Sequence, residues 1–305
     1  MIIMLIGGGL GNQMFQYALG RHLSIKNHQP LMLDHSRYTL VKPDAYNSIR
    51  NFGLNHFNIK AALINKNELS RYAKIKPNIL TVILSKFGIN FFRKAYYKNS
   101  YVKEPEKQYF SFDPKLLDYK YANVYLKGFW QSEKYFKDIR NVILRDFTVV
   151  TPPDEYNLSI SQKIKNNNSV GVHFRRCDYT KNLIGTLPLD YYYQAIKYLT
   201  SKIDNPHFFI FSDDMAWVKN NFKIDFPGVY VENSLEKDYE DMRLMSQCQH
   251  HIIANSTFSW WGAWLATNPD KIVIAPEKYV QKIDLPNPDY YPESWVIIKN
   301  YNNLN

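Results

Sequence analysis

A cluster of charged residues follows a predicted buried strand in the second half of the chain. One imidazole, two guanidinium groups and a carboxylate fall within six residues, at His173, Arg175, Arg176 and Asp178. On an extended strand His173 and Arg175 share one face, whereas Arg176 points to the other. The planar fork of an arginine matches two phosphate oxygens and keeps its charge when desolvated. We therefore expect Arg175 to bind phosphate; the alternative, favoured more for Arg176, is a structural ion pair with Asp178.

Small hydroxyl residues follow a second predicted strand and precede an aromatic helix. The order is Asn255, Ser256 and Thr257, and then a run that contains Trp260 and Trp261. Hydroxyl groups and unpaired N–H groups at a helix N-terminus form a site for anions. Helix capping explains one of the two hydroxyls, and we expect phosphate contact from the cluster as a whole. The two tryptophans are expected to pack in the core.

A glycine-rich turn follows the first apolar run of the chain. Gly9 and Gly11 allow a ligand to approach the backbone, but the next residues are Asn12 and Gln13. The dinucleotide-binding fingerprint has a third glycine here, so the turn argues against an NAD(P)-dependent oxidoreductase. The spacing to Asp34, which lies 23 residues after Gly11, is the one feature that favours it.

Nothing in the sequence predicts a metal site. No Asp-x-Asp motif occurs, and the pair Asp213 and Asp214 is better interpreted as the N-cap of a helix. The adjacent His250 and His251 point to opposite faces of a predicted strand, so they are poorly placed to bind one ion.

Apolar runs alternate with helical patterns along most of the chain, which predicts parallel sheets in a doubly wound α/β fold. Pro152 and Pro153 divide the chain into predicted domains at 1–152 and 153–305. Strands are predicted near 1–6, 31–34, 123–126, 169–174, 208–211, 229–231, 251–254 and 272–275. Helices are predicted near 189–201, 213–222, 237–248 and 257–267.

The net charge of +10 is concentrated in one stretch of this 305-residue chain. Residues 60–107 hold 11 Lys or Arg against three acids, so eight of the ten net charges lie there. This stretch is separate from the polar clusters, which argues against nucleic-acid binding. We expect a basic insert that contacts an anionic membrane beside the apolar residues 79–84 and 91–92; the alternative is a solvated helical face. The chain has two cysteines, which favours a reducing compartment and hence a cytoplasmic protein. A membrane contact through the basic stretch would then be at the inner face of the membrane.

Five segments together resemble the α-1,2-fucosyltransferases of glycosyltransferase family 11, over residues 6 to about 277. They are 8–17, 128–131, 173–179, 211–214 and 254–262. The resemblance implies a GT-B fold, in which two Rossmann-like domains face each other across a cleft. It also implies GDP-L-fucose as donor, inversion at the anomeric carbon and no metal or other cofactor. The implied acceptor is a terminal β-galactoside, such as lactose or a β-1,3- or β-1,4-linked Gal-HexNAc, in glycan or O-antigen synthesis.

The resemblance also assigns roles on the donor side. Arg175 would contact the β-phosphate with His173 beside it, Asn12 would face the donor, and Asp241 would bind the nucleoside. The remaining donor-binding residues implied are Gly9, Gly11, Arg176, Asn255, Ser256, Thr257 and Phe258. One departure is Cys177, which stands where the family pattern has glycine.

The general base and the acceptor surface are less determined. Asp178 is the first candidate for the base, with Asp34 and Glu277 behind it, because the acceptor hydroxyl must lose a proton to a carboxylate. For the acceptor surface we name Gln131, Ser132 and Asp34, together with the pair at 96–97.

Overall fold

The structure is a computed structural model that describes residues 1–40, 51–65, 68–69, 100–105, 110–118, 120 and 123–299. Its strands form two sheets, and every pairing in both is parallel. Strands of the first sheet are β1 (Ile2–Leu5), β2 (Leu31–Asp34), β3 (Ala62–Leu63), β4 (Ser100–Lys103) and β5 (Val124–Lys127). Strands of the second are β6 (Asn168–Phe174), β7 (Pro206–Ser212), β8 (Gly228–Tyr230), β9 (His250–Ile252), β10 (Val273–Pro276) and β11 (Val296–Ile298).

Helices connect these strands and cover the sheets. They are α1 (Leu10–Lys26), α2 (Ser36–Leu40), α3 (Lys115–Asp118), α4 (Arg140–Asp146), α5 (Glu155–Lys165), α6 (Leu189–Thr200), α7 (Met215–Asn221), α8 (Asp238–Gln247) and α9 (Thr257–Leu265). Single 3₁₀ turns occur at Leu54–His56, Glu133–Tyr135, Lys137–Ile139, Asp178–Thr180 and Leu235–Lys237. No helix in the described ranges is both long and apolar enough to cross a membrane.

The strand order fixes where each sheet can bind a ligand. The second sheet has the strand order β11-β10-β9-β6-β7-β8, which is the doubly wound dinucleotide-binding order. From β6 the chain first adds strands on one side and then, from β9, on the other; we call the place between β6 and β9 the strand reversal of this sheet, although all its strands are parallel. The first sheet runs β3-β2-β1-β5-β4 and reverses between β1 and β5. Ligands in open α/β sheets bind beyond the carboxyl ends of strands at such reversals. The prediction of two parallel α/β domains with the GT-B architecture is confirmed.

The two halves of the chain pack together through α1 and α9. The ring of Phe15 lies 4.6 Å from Trp260 and 5.0 Å from Trp261, measured between centroids. Both tryptophans are fully buried, so the expectation that they pack in the core is confirmed. A β-carbon at Gly11 would come within 2.5 Å of the backbone of Thr257. The N-termini of the two helices are therefore in direct contact.

The ends of the basic stretch 60–107 belong to the first sheet, as β3 and β4. These strands were not predicted, because their side chains do not show the alternation of a half-buried strand. Most of the stretch, including the apolar segments at 79–84 and 91–92 and the pair at 96–97, lies outside the described residues. The expected membrane contact of residues 60–107 therefore stays a prediction.

Candidate functional site

Arg175 lies directly after β6, at the strand reversal of the second sheet. Its guanidinium contacts two carboxylates, with Nη2 at 2.5 Å from Asp178 and Nη1 at 3.0 Å from Asp213. Its plane lies 5.2 Å from the ring of Tyr179. The Nε–H group is buried and has no hydrogen-bond partner among the described residues. Arg175 thus has one unused donor, and its fork is occupied by two acids.

Arg176 points away from this cluster, as the strand alternation predicts. It stacks on the ring of Trp217 at 3.3 Å and lies 3.4 Å from Asp214. The alternative of a structural ion pair with Asp178 is realised at Arg175, for which it was the less favoured interpretation. Predicted as a donor-binding residue, Arg176 is engaged in contacts with α7 and its N-cap.

The acids after β7 divide their roles. Asp214 caps α7 by accepting a hydrogen bond from the N–H of Trp217, as the N-cap interpretation predicts. Asp213 accepts from the N–H of Arg176 and pairs with Arg175. The sequence analysis missed this second role. Strand register contains the signal, because Phe174 pairs with Ser212, which places the residues that follow the two strands side by side.

His173 is a buried, neutral imidazole beside the charged cluster. Burial, together with the positive charge of Arg175, lowers the pKa of His173 to about 3. Its ring lies 5.5 Å from that of Phe258 on α9. The Nδ1 atom is buried without a partner in the described part of the chain. The neutral ring of His173 can therefore form a hydrogen bond with a ligand, and it adds no positive charge to the site.

The N-terminus of α9 lies at the same strand reversal, after β9. Ser256 is the N-cap, and its hydroxyl accepts a hydrogen bond from the N–H of Phe258. Thr257 opens the helix and is 7% exposed. The first turn of a helix leaves N–H groups without helical partners, and one cap satisfies only one of them. The remaining N–H groups and the helix dipole favour an anion there.

Asn255 anchors loops around this helix. Its amide donates to the carbonyls of Gly185 at 3.0 Å and Tyr279 at 2.8 Å. The side chain is fully buried. Predicted as a donor contact, Asn255 instead holds the loops after β6 and β10 in place.

The glycine turn after β1 meets the turn after β5 at the strand reversal of the first sheet. Gly9 is the N-cap of α1, and its carbonyl accepts from the N–H of Asn12. The Asn12 Oδ1 atom accepts a hydrogen bond from Gln131 Nε2 at 2.7 Å. Gly11 makes no space for a ligand, because the peptide between Thr257 and Phe258 fills that space. The structure thus brings together Asn12 and Gln131, predicted as donor and acceptor residues.

Two predicted acceptor residues have structural partners. Asp34 accepts from the Tyr125 hydroxyl at 2.6 Å and from the N–H of Ser36 at 3.0 Å. Ser132 caps the 3₁₀ turn at Glu133–Tyr135 by accepting from the N–H of Lys134. Both side chains are buried, which makes them supports of the site rather than its surface.

Asp241 forms a second polar centre at the start of α8. It accepts a hydrogen bond from Asn233 Nδ2 at 2.8 Å. Burial raises the pKa of Asp241 to about 7 and the charges of Asp238 and Glu240 add to the effect, while the bond from Asn233 opposes it. The carboxyl group of Asp241 therefore changes its protonation state closer to neutral pH than an ordinary aspartate does.

Cys177 lies in the loop after β6, and its backbone does not need a glycine there. Its φ is −24°, outside the left-handed region that favours glycine. The thiol donates to the carbonyl of Asp213 at 2.9 Å, and burial raises its pKa to about 11. This bond ties the loops after β6 and β7 together.

A set of three or more metal-ligating His, Cys, Asp or Glu side chains does not occur within the described ranges. Positive charge at the site comes from Arg175 and the N-terminus of α9. The third candidate for a base, Glu277, follows β10, and its Oε2 atom is buried without a partner among the described residues.

Comparison with known proteins gives consistent relatives. The sequence profile described as Glycosyl transferase family 11 matches residues 1–299. An α-1,2-colitosyltransferase of Escherichia coli is 34% identical, over 98% of this chain and 99% of its own. The E. coli O-antigen biosynthesis glycosyltransferase WbnK is 36% identical, over 90% and 93%. Galactoside α-(1,2)-fucosyltransferase 2 of Sus scrofa is 30% identical, over 58% of this chain and 56% of its own.

Proposed function

The chain belongs to glycosyl transferase family 11, and we propose that it is an inverting, metal-independent α-1,2-fucosyltransferase. It moves L-fucose from GDP-β-L-fucose to the 2-hydroxyl of a terminal β-galactose. The observation that carries the proposal is the convergence of Arg175 and the N-terminus of α9 at one strand reversal. A guanidinium and unpaired N–H groups there suit a diphosphate.

In the reaction, the bond between the fucosyl anomeric carbon and the β-phosphate oxygen breaks, and its electron pair stays on GDP. Arg175 and the N–H groups of α9 stabilise that negative charge, which a metal ion does in other transferases. The galactose 2-oxygen attacks from the opposite face, so the anomeric configuration inverts. Its proton passes to a carboxylate.

Asp178 is the carboxylate that we assign as the base. One of its oxygens lies 2.5 Å from Arg175 Nη2, on the guanidinium to which we assign the donor phosphate. The phosphate competes with Asp178 for that donor, and a displaced Asp178 carboxylate is available to accept the proton. We thus assign two roles to Asp178: it pairs with Arg175, and it accepts the proton of the acceptor hydroxyl once the donor phosphate has taken its place on Arg175.

The rest of the cleft binds the two ends of the reaction. Asp241, at the start of α8, accepts the N–H groups of the guanine base. The hydrogen-bonded pair Asn12 and Gln131 lies at the strand reversal of the first sheet and faces the sugars. His173 lies beside the phosphates with a neutral ring, so it adds no positive charge there. We propose that residues 60–107 contact an anionic membrane that carries a lipid-linked acceptor. Co-sedimentation of the protein with vesicles that does not depend on their anionic lipid content would contradict this proposal.

Colitose is the alternative sugar, because a relative matching 98% of the chain is named a colitosyltransferase. The test gives purified protein GDP-fucose or GDP-colitose, each with lactose, and identifies the product and linkage by mass spectrometry and NMR. We expect an α-1,2-fucosylated galactose. Transfer from GDP-colitose alone would refute the donor, and a linkage other than α-1,2 would refute the regiochemistry.

A further inference from the structure

Glu104 is a buried acid that none of the roles above uses. It follows β4 and is 4% exposed. Its Oε2 accepts a hydrogen bond from the N–H of Phe129 at 2.7 Å, and its Oε1 accepts from the N–H of Trp130 at 3.0 Å. Burying a carboxylate is costly unless its oxygens are satisfied. Here both oxygens are spent on two consecutive backbone amides of the turn after β5.

The turn that Glu104 holds is strained. Trp130 has φ of 48°, in the left-handed region that bulky residues avoid. Such conformations persist only where the surroundings impose them, and they concentrate at functional sites. Since the Trp130 amide is one of the two that the carboxylate binds, Glu104 supplies part of that constraint.

A second side chain fixes the same turn from α1. Gln16 donates to the carbonyl of Gly128 at 2.9 Å, and its own carbonyl accepts from the N–H of Gly7 at 2.9 Å. A β-carbon on Gly128 would lie 2.4 Å from the Glu104 Cβ, so only glycine lets the carboxylate approach. The turn after β5 is thus locked to the turn after β1.

The next residue after the strained position is Gln131, whose amide reaches Asn12 at 2.7 Å. We propose that Glu104 is a positioning residue for the acceptor, because its carboxylate sets the turn that places Gln131 against Asn12. This inference rests on the proposed function, in which that pair faces the sugars. A buried apolar residue could fill the same volume but could not fix two amides in one geometry.

The test compares Glu104→Gln with the wild-type protein in transfer from GDP-fucose to lactose. The amide keeps the size but has one accepting oxygen, and its NH₂ group faces an N–H. Loss of one such hydrogen bond is expected to raise the KM for lactose about tenfold. The KM for GDP-fucose should stay within about twofold, equivalent to about 0.4 kcal/mol, because the contacts that we assign to GDP are made by Arg175, α9 and Asp241 and not by this turn. A purely structural role would not split the two constants.

Two further variants sharpen the result. Asp146→Asn also removes a buried acid of the first half, one that pairs with Arg21 and Tyr17 away from the strand reversals. It should lower the melting temperature and leave both KM values unchanged. If Glu104 acts through Gln131, then Glu104→Gln combined with Gln131→Ala should be no worse than Gln131→Ala alone. Additive losses would overturn the inference.

Failure of the inference and failure of the proposed function give different results. A wild-type protein that is inactive with both GDP-fucose and GDP-colitose refutes the proposed function. An active wild type with unchanged lactose KM in Glu104→Gln refutes the positioning role alone. Hydrogen exchange of the peptide 128–132 is a readout independent of activity, and equal exchange in wild type and variant also overturns the inference. If Glu104→Gln does not fold, Glu104→Asp retains the charge but shortens the reach, and the same split is expected.

Discussion

Replacing Arg175 by lysine is the most direct test of the donor site. The guanidinium reaches Asp178 and Asp213 at once and keeps its Nε–H free. A lysine ammonium keeps the charge but cannot span both acids and a phosphate. Loss of one preorganised donor to a developing anion costs about 2.7–4 kcal/mol, which is about 100 to 1000-fold in kcat.

Alanine is a poorer probe than lysine here. The Asp213 side chain is 7% exposed, and Arg175→Ala would leave it buried without its guanidinium. Breaking a buried ion pair in this way is strongly destabilising. Arg175→Lys is therefore the variant to measure, because it keeps a positive charge beside Asp213.

The assay measures initial rates with GDP-fucose and lactose, together with the melting temperature of each variant. Arg176→Lys is the matched control, since it changes an adjacent arginine that stacks on Trp217. We expect Arg175→Lys to fold and to lose activity, and Arg176→Lys to lose far less. A folded Arg175→Lys protein with kcat within about tenfold of wild type would refute the role of Arg175 in stabilising GDP.

Four further results are expected. Asp178→Asn should bind GDP more tightly, since it removes a negative competitor for Arg175, while kcat falls about 100-fold or more. Calorimetry with GDP and single-turnover rates measure the two effects. An unchanged kcat would show that Asp178 is not the base. The affinity for GDP should be about tenfold weaker at pH 6 than at pH 8, because Asp241 with a pKa of about 7 must be ionised to accept the guanine N–H groups; this dependence should vanish in Asp241→Asn. The same raised pKa lowers the free energy of unfolding of the donor-free protein as pH rises from about 4 to 7, because only the folded state keeps the proton there. Transfer should persist in excess chelator, and activity restored by Mg²⁺ or Mn²⁺ would contradict metal independence.

Most of the fold could be predicted from the sequence where strands are buried on both faces. The strands that contain His173, Phe208 and Ile252 lie close to their predicted positions, and nearly all of their residues are buried. Such strands are recognisable as short buried runs between turn residues because both faces of a parallel sheet are covered. Three of the edge strands, β3, β4 and β11, were missed: none of their residues with a described side chain is buried, and β3 and β11 are only two and three residues long.

The candidate site divides in the same way. Residue types and strand alternation by themselves determined that Arg175 and Arg176 point to opposite faces and that a hydroxyl cap opens α9. These are local properties, set by the period of a strand and the unpaired N–H groups of a helix. Only the tertiary structure decided that Asp213 pairs with Arg175 and Asp214 with Arg176, because these pairs depend on the parallel register of β6 and β7. It also showed that Gly11 accommodates a neighbouring backbone rather than a ligand, and that Glu104 binds a turn 25 residues later in the chain. Those contacts join distant segments, and nothing in the local sequence specifies how closely two such segments approach.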